Sequence, residues 1–129
     1  MTTRTPEHVT AMIERYAKAA TDSDVEGVVA CFAAGAELRD PFDGPVMTGR
    51  DAIREFFAVG VTMIESLVVN GPIRISGDGA SAAAPMLALI DMQGAKLAMD
   101  TVDVFYFDDD GLFAAMHGFY GPTNVRPQG

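Results

Sequence analysis

Near its beginning, the chain places an apolar residue at every third or fourth position, which is the spacing of one face of an α-helix. Thr5 can cap such a helix, and Pro6 suits its first position. The apolar stripe continues through Val9, Ile13 and Tyr16. The pattern therefore predicts one continuous helix with Tyr16 on its interior face, where the phenolic hydroxyl needs a hydrogen-bonding partner.

A second helix and a short strand are predicted next. The helix opens near Ser23 or Asp24, runs through Phe32 and stops around Gly35, because serine and aspartate are good caps and glycine commonly ends helices. From residue 36 the chain alternates as a strand does, and the proline after Asp40 closes this strand. The alternation places the Asp40 carboxylate on the apolar side of the strand.

A third helix follows a turn that is rich in proline and glycine. The turn covers residues 41–45, and the helix begins at Thr48 or Gly49. Three helices therefore precede most of the sheet. The inward face of the third helix is predicted to carry Ile53, Phe56 and Phe57.

From about Ser66 the periodicity changes to the alternation that is typical of strands. Turn residues separate the extended segments, and the last three segments are long, at about residues 80–91, 95–107 and 112–120. Strands of this length would wrap around the helices as a strongly curved, mainly antiparallel sheet. The chain is thus predicted to form one α+β domain, residues 1–129, whose three N-terminal helices pack in the concave face of the sheet and enclose a conical cavity.

The composition is that of a single globular domain with an acidic balance. Eighteen Asp and Glu residues against nine Lys and Arg give the 129-residue chain a net charge of −9, which repels nucleic-acid backbones and anionic membrane surfaces. Neither a targeting segment nor an apolar run long enough to cross a membrane is evident, so we expect a cytoplasmic protein with no nucleic acid and no membrane as partner. The single cysteine, Cys31, lies among apolar residues and is expected in the core.

Asp103 is the most informative residue of the chain. Alternate positions from Leu97 to Phe107 form one apolar face of a strand, and Asp103 lies on that face. A desolvated carboxylate takes up a proton or finds a partner, so this position is typical of a functional acid. A cavity-lining acid that binds backbone amides, or a position at a sheet edge, is the structural alternative.

Three polar groups thus point inward from three elements: the Tyr16 hydroxyl and the carboxyl groups of Asp40 and Asp103. Two carboxylates that share one cavity cannot both remain ionised cheaply, so one pKa rises. Asp103 is farther from any turn than Asp40 and is expected to be the protonated acid, which leaves Asp40 as a general base. Neutral Asp103 and Tyr16 could then both donate hydrogen bonds to one developing oxyanion.

At these residues the chain resembles the ketosteroid isomerases, or steroid Δ5-isomerases, of the NTF2-like superfamily. The resemblance spans about residues 5–124. It rests on the tyrosine at the end of Ile-Glu-Arg-Tyr16, the segment RDPFDGP at 39–45, Gly-Arg at 49–50, and Asp-Thr-Val-Asp-Val at 100–104.

The resemblance implies an isomerase that moves a double bond from Δ5 to Δ4 in 3-oxosteroids without a cofactor or a metal. Asp40 would remove a proton next to the ketone and return it two carbons along the chain. Tyr16 and protonated Asp103 would hold the dienolate oxygen, as a neutral acid and a tyrosine do in that family. A homodimer is also implied.

The same resemblance places seven residues at the substrate, although ordinary core packing explains such residues as well. The chain departs from the family at Phe32 and Phe57, where well-known members carry tyrosines that support the oxyanion tyrosine. The seven substrate-binding candidates are Phe56, Ala84, Met86, Ala88, Met116, Gly118 and Tyr120.

Two other functions stay open. One is another enzyme on the same scaffold, such as a polyketide cyclase or a dehydratase. The other is a non-catalytic steroid-binding or lipid-binding module, in which an ionised base beside an apolar ligand would serve no purpose. Histidine is the expected base of such dehydratases, but His8 is expected on the surface and His117 on the opposite side of its strand. No grouping of histidine, cysteine and acidic residues has the spacing of a metal site.

Overall fold

The first helix is the element that the sequence predicts most closely. The structure, a computed structural model, describes residues 4–129. Residues 1–3 lie outside this described part. The predicted domain, 1–129, and the N-terminal stretch without a targeting pattern both include them. Helix α1 spans Pro6–Thr21, and the Thr5 side chain accepts a hydrogen bond of 3.1 Å from the backbone N–H of His8. The predicted cap and first helical residue are therefore confirmed.

The second helix is shorter than predicted. Helix α2 spans Val25–Val29 and is capped by Asp24, whose carboxylate accepts from the backbone N–H of Gly27. The predicted continuation through Phe32 to Gly35 is wrong, because Phe32 already begins strand β1, Phe32–Arg39. A tertiary contact overrides the local helix signal here, since β1 pairs in parallel with a strand from the end of the chain.

The third helix confirms the prediction at its start and on its buried face. Strand β2, Met47–Thr48, leads to helix α3, Arg50–Gly60. Its cap residue Gly49 has φ = 88°, a left-handed conformation that favours glycine. Ile53 and Phe57 are buried and Phe56 is half-buried.

The rest of the chain forms the predicted curved sheet. Its strand order is β2-β1-β7-β6-β5-β3, with β4 beside β5 and β8 beside β6. The β1–β7 pairing is parallel, and the other pairings described are antiparallel. A short 3₁₀-helix, Pro122–Asn124, precedes the last strand. The later strands are β3 Ile64–Val69, β4 Arg74–Ile75, β5 Ser81–Met92, β6 Ala95–Phe107, β7 Phe113–Phe119 and β8 Val125–Pro127.

The core lies between the helices and one face of this sheet. Helix α1 packs against β3 and α2, and its buried residues join those of β5, β6 and β7 in a single cluster. Cys31 belongs to this cluster, as predicted, and burial raises the pKa of its thiol to about 11. Among residues 4–129, no helix combines the length and the apolar character needed to cross a membrane.

Candidate active site

A cavity of about 290 Å³ opens between α1, α3 and the concave face of the sheet. Few polar side chains line it, and each of them can form hydrogen bonds or transfer a proton. The rest of its wall is apolar. This combination is typical of sites for small apolar ligands. The lining residues are Tyr16, Asp40, Phe56, Phe57, Gly60, Met63, Ile64, Leu67, Ala88, Ile90, Met92, Met99, Thr101, Asp103 and Tyr120.

Tyr16 is surrounded by aromatic rings. Its side chain is 2% exposed, and its ring meets Phe32, Phe57, Phe105 and Phe113 edge-on at centroid distances of 5.9 to 6.5 Å. Within the described residues its hydroxyl has no hydrogen-bonding partner in the protein, and it opens onto the cavity. The Tyr16 hydroxyl is therefore in a position to donate a hydrogen bond to a molecule in the cavity.

Asp40 directly follows β1 and begins the turn that the sequence predicts. The peptide bond to Pro41 is cis. The backbone N–H of Phe42 donates a 2.8 Å hydrogen bond to the carbonyl of Gly118, which ties the turn to the end of β7. Burial raises the pKa of the Asp40 carboxyl to about 6. A carboxylate with this pKa is ionised at neutral pH and is a stronger base than an ordinary aspartate.

Asp103 lies in the middle of β6 and is 5% exposed. Burial raises the pKa of its carboxyl well above the usual value, and the charge of Asp40 raises it further. The hydroxyl of Thr101, 3.5 Å from Oδ1 of Asp103, acts in the opposite direction. Burial and the charge of Asp40 therefore both favour the protonated form of Asp103.

Electrostatics also keep Tyr16 in its neutral form. Burial raises the pKa of its hydroxyl well above the usual value, and the negative charge of Asp40 adds to this effect. Tyr16 therefore remains a hydrogen-bond donor at neutral pH. The structure brings together the three predicted catalytic candidates, each from a different element, in one cavity.

The predicted wall residues fall into two groups. Phe56, Ala88 and Tyr120 line the cavity. The other four are buried and do not line it: Ala84, Met86, Met116 and Gly118. Strand alternation gives the face of a residue correctly but does not show how deep along the strand the cavity reaches.

Several wall residues were missed by sequence reasoning. Met99 and Thr101 lie on the same face of β6 as Asp103, so alternation alone could have identified them. Met63 comes from the turn after α3, and Ile64 and Leu67 come from β3. Their approach to the cavity depends on how β3 pairs with β5. No local pattern carries that information.

The two histidines lie away from the cavity wall. His117 faces the other side of β7, as predicted, where its Nε2 lies 2.8 Å from Oε2 of Glu37. The Nε2 atom of His8 lies 2.8 Å from the carbonyl oxygen of Gly111, and His8 is half-buried, so it is less exposed than expected. Within residues 4–129, no group of three or more histidine, cysteine, aspartate or glutamate side chains is arranged to hold a metal ion.

Comparison with known proteins identifies a matching family and similar proteins. The sequence profile described as a SnoaL-like domain matches residues 13–116. A steroid Delta-isomerase of Nocardioides simplex is 26% identical over 117 residues, which cover 91% of this chain and 93% of the isomerase. Among solved structures, the epoxide hydrolase/cyclase-like enzyme SalBIII, described in pyran ring formation in the polyether salinomycin, superimposes with a TM-score of 0.89 at 26% identity. That match covers 97% of this chain and 99% of SalBIII.

Proposed function

We propose that this chain, which belongs to the SnoaL-like domain family of NTF2-like folds, is a cytoplasmic steroid Δ-isomerase. Its active site is the cavity, where 3-oxo-Δ5-steroids are converted into their Δ4 isomers. The observation that carries the proposal is the coexistence of Asp40, Asp103 and Tyr16 in one apolar cavity. Burial raises the pKa of both carboxyl groups, and the charge of Asp40 raises that of Asp103 further, which favours a neutral donor beside a base. The steroid Delta-isomerase of Nocardioides simplex, similar over most of both chains, supports the same reaction.

The reaction needs only these three side chains. The Asp40 carboxylate removes a proton from the carbon between the ketone and the double bond, and the electron pair moves to the ketone oxygen. Tyr16 and protonated Asp103 donate hydrogen bonds to the resulting dienolate oxygen, which stabilises charge that exists only after proton removal. Asp40 then returns the proton two carbons farther along, so that the enzyme ends in its starting state.

The apolar wall explains how such a substrate would be held. Phe56 and Tyr120 provide flat aromatic surfaces, and the small side chain of Ala88 takes up little of the cavity. Burial of hydrocarbon against these side chains supplies binding free energy of about 25 cal/mol per Å². Since the polar groups lie among Tyr16, Asp40 and Asp103, we expect the substrate ketone to bind at that end.

The direct test is to follow formation of the conjugated enone from a 3-oxo-Δ5-steroid by ultraviolet absorption. Asp40→Asn is expected to lower kcat by about 10² to 10⁴-fold, the usual contribution of a positioned base. Asp43→Asn is the matched control, since Asp43 is an exposed acid of the same turn that does not line the cavity. Wild-type turnover by Asp40→Asn, or no isomerisation by the unmodified protein, would refute the proposal.

Ring formation or epoxide opening is a second candidate function. It is favoured by the similarity to SalBIII and by the pairing of a neutral acid with an ionised one. Asp103 could donate a proton to an epoxide oxygen while Asp40 accepts the proton of the attacking hydroxyl. Mass-neutral conversion of a hydroxy-epoxide to a cyclic ether, without any action on the 3-oxo-Δ5-steroid, would favour this function over isomerisation.

We also propose that the protein is a homodimer that associates through the convex face of the sheet. Val102, Tyr106 and Phe119 point outward there and are 41 to 44% exposed, and Val102 pairs directly with Phe119 across two strands. Sedimentation should give a dimer for the unmodified protein and a monomer for Val102→Glu. Val59→Glu, at an exposed apolar position on α3, should remain dimeric.

A further inference from the structure

Gly118 occupies a position near the end of β7 where a side chain would collide with Asp40 and press against Asp103. A Cβ atom placed there would lie 2.5 Å from Oδ1 and 3.1 Å from Cγ of Asp40, and 3.2 Å from Oδ1 of Asp103. Real Cβ atoms essentially never approach another atom to less than 3.0 Å. The φ angle of Gly118 is not in the left-handed region, so its backbone conformation does not require glycine. Space is therefore the physical reason for glycine here.

The same residue is joined to both acids through the backbone. Gly118 lies directly opposite Asp103 in the antiparallel pairing of β6 with β7. Its carbonyl accepts the 2.8 Å hydrogen bond from Phe42, two residues beyond Asp40. The position of the Asp40 turn and the position of Asp103 are thus both set relative to this one residue.

We propose that Gly118 is a positioning residue, whose missing side chain forms the cleft in which the carboxyl groups of Asp40 and Asp103 lie side by side. The proposal rests on the function proposed above where it concerns catalysis, and on geometry alone where it concerns the arrangement of the two acids. Gly118 therefore has a different role from the substrate contact that the resemblance implied.

A methyl group at this position has one easy way to fit. Strand β7 is held on one side by β1 and on the other by β6, so the backbone at residue 118 resists displacement. The Asp40 carboxyl borders the open cavity and can turn into it. Gly118→Ala should therefore move the Asp40 carboxyl away from Asp103 and toward the cavity.

This displacement has kinetic consequences. A misplacement of about 1 Å at a reacting group lowers turnover about 10²-fold, so kcat of Gly118→Ala should fall by about that factor. Because burial raises the Asp40 pKa to about 6, a carboxyl that turns toward the open cavity should have a lower pKa. Asp40 acts as a base only when it is deprotonated, so the acid limb of the pH profile of kcat/KM should move to lower pH.

The kinetic experiment compares Gly118→Ala with Gly35→Ala. Gly35 lies in β1 and is exposed, and no atom lies within 4 Å of the place that a Cβ would take, so the same added methyl should leave kcat and the pH profile unchanged. A normal kcat and an unmoved acid limb in Gly118→Ala would overturn the proposal. A loss of kcat together with a shift of the acid limb to lower pH would support it.

A stability experiment tests the same geometry without a substrate. Gly118→Ala should lower the urea midpoint of unfolding more in the unmodified chain than in an Asp40→Ala background, where the colliding carboxyl is gone. Folding of the double variant but not of Gly118→Ala would support the proposal as well. The proposal would be overturned if Gly118→Ala lowered the urea midpoint equally in both backgrounds, or if neither Gly118→Ala nor the double variant folded. If the unmodified protein has no isomerase activity but Gly118→Ala behaves as expected in the two backgrounds, only the proposed function fails.

Discussion

Oγ1 of Thr101 lies 3.5 Å from Oδ1 of Asp103, two residues along the same face of β6. Both residues line the cavity, and the hydroxyl lowers the pKa that burial and the charge of Asp40 raise. The structure therefore contains a side chain that weakens the tendency of Asp103 to stay protonated. This relationship can be tested separately from the catalytic roles.

Thr101→Val should raise the pKa of Asp103, because the variant keeps the side-chain shape but loses the hydroxyl. If neutral Asp103 is the donor that turnover requires, the alkaline limb of the kcat/KM profile should move to higher pH. Thr10→Val, at an exposed position of α1, is the control and should leave the profile unchanged. An alkaline limb that stays in place would show that Asp103 does not set it.

Replacement of Asp103 should separate hydrogen-bond donation from binding. Asp103→Leu removes a donor used mainly in the transition state, so kcat should fall about 10² to 10³-fold with a much smaller change in KM. Asp103→Asn keeps an N–H donor and should retain far more of kcat than the leucine variant does. Steady-state kinetics of both variants provide the measurement. A loss confined to binding in Asp103→Leu would instead favour a carrier function.

The raised pKa of Asp40 predicts a specific pH dependence of folding stability. A carboxyl whose pKa is higher in the folded than in the unfolded state binds its proton more tightly when folded, so its contribution to stability is present below pH 4 and is lost as the pH rises through about 6. Asp40→Asn cannot ionise and avoids this loss.

The measurement is the free energy of unfolding of both proteins between pH 4 and pH 7. With a pKa that moves from 3.8 to about 6, Asp40→Asn should gain up to about 3 kcal/mol relative to the unmodified chain over this range. A constant difference between the two proteins would contradict the raised pKa. Asp43→Asn should follow the unmodified protein throughout.

Phe42 should influence Asp40 through the turn that they share. Its ring stacks on Phe119 at 4.7 Å, and the Arg39 guanidinium lies 5.2 Å from its centroid. Loss of the stacking in Phe42→Ala should cost about 0.5 to 1.5 kcal/mol of stability. It should also lower kcat more than it raises KM, because the turn that holds the proposed base loosens. Val46→Ala, an exposed apolar residue just beyond the same turn, is the control for side-chain truncation. A KM effect alone would argue against this role.

Local rules predicted those elements whose pattern repeats over many residues. The cap at Thr5 and the helix after it follow from side-chain hydrogen bonding to free backbone N–H groups, and both are present. Strand β6 matches its predicted bounds, 95–107, because turn residues flank it on both sides. Alternation alone then places Asp103 on the buried face.

Local rules failed where a distant strand decides the conformation. Residues near Phe32 carry a helix pattern, yet they form β1 because β7, some eighty residues later, supplies a parallel partner. The depth of the cavity could not be predicted for the same reason. Ala84 and Met86 have the correct phase for its wall, but they are buried in the core and do not line it.

By itself, the sequence determined that an acid in a strand and a tyrosine in a helix face the interior, because these directions follow from the geometry of each element. Only the tertiary structure decided that Asp40 and Asp103 share one cleft, that Gly118 makes room for both, and that the Tyr16 hydroxyl has no partner in the described part of the protein. Contacts between residues far apart in the chain depend on how the elements pack. The periodicity of apolar positions, two residues in a strand and 3.6 in a helix, carries no information on that packing.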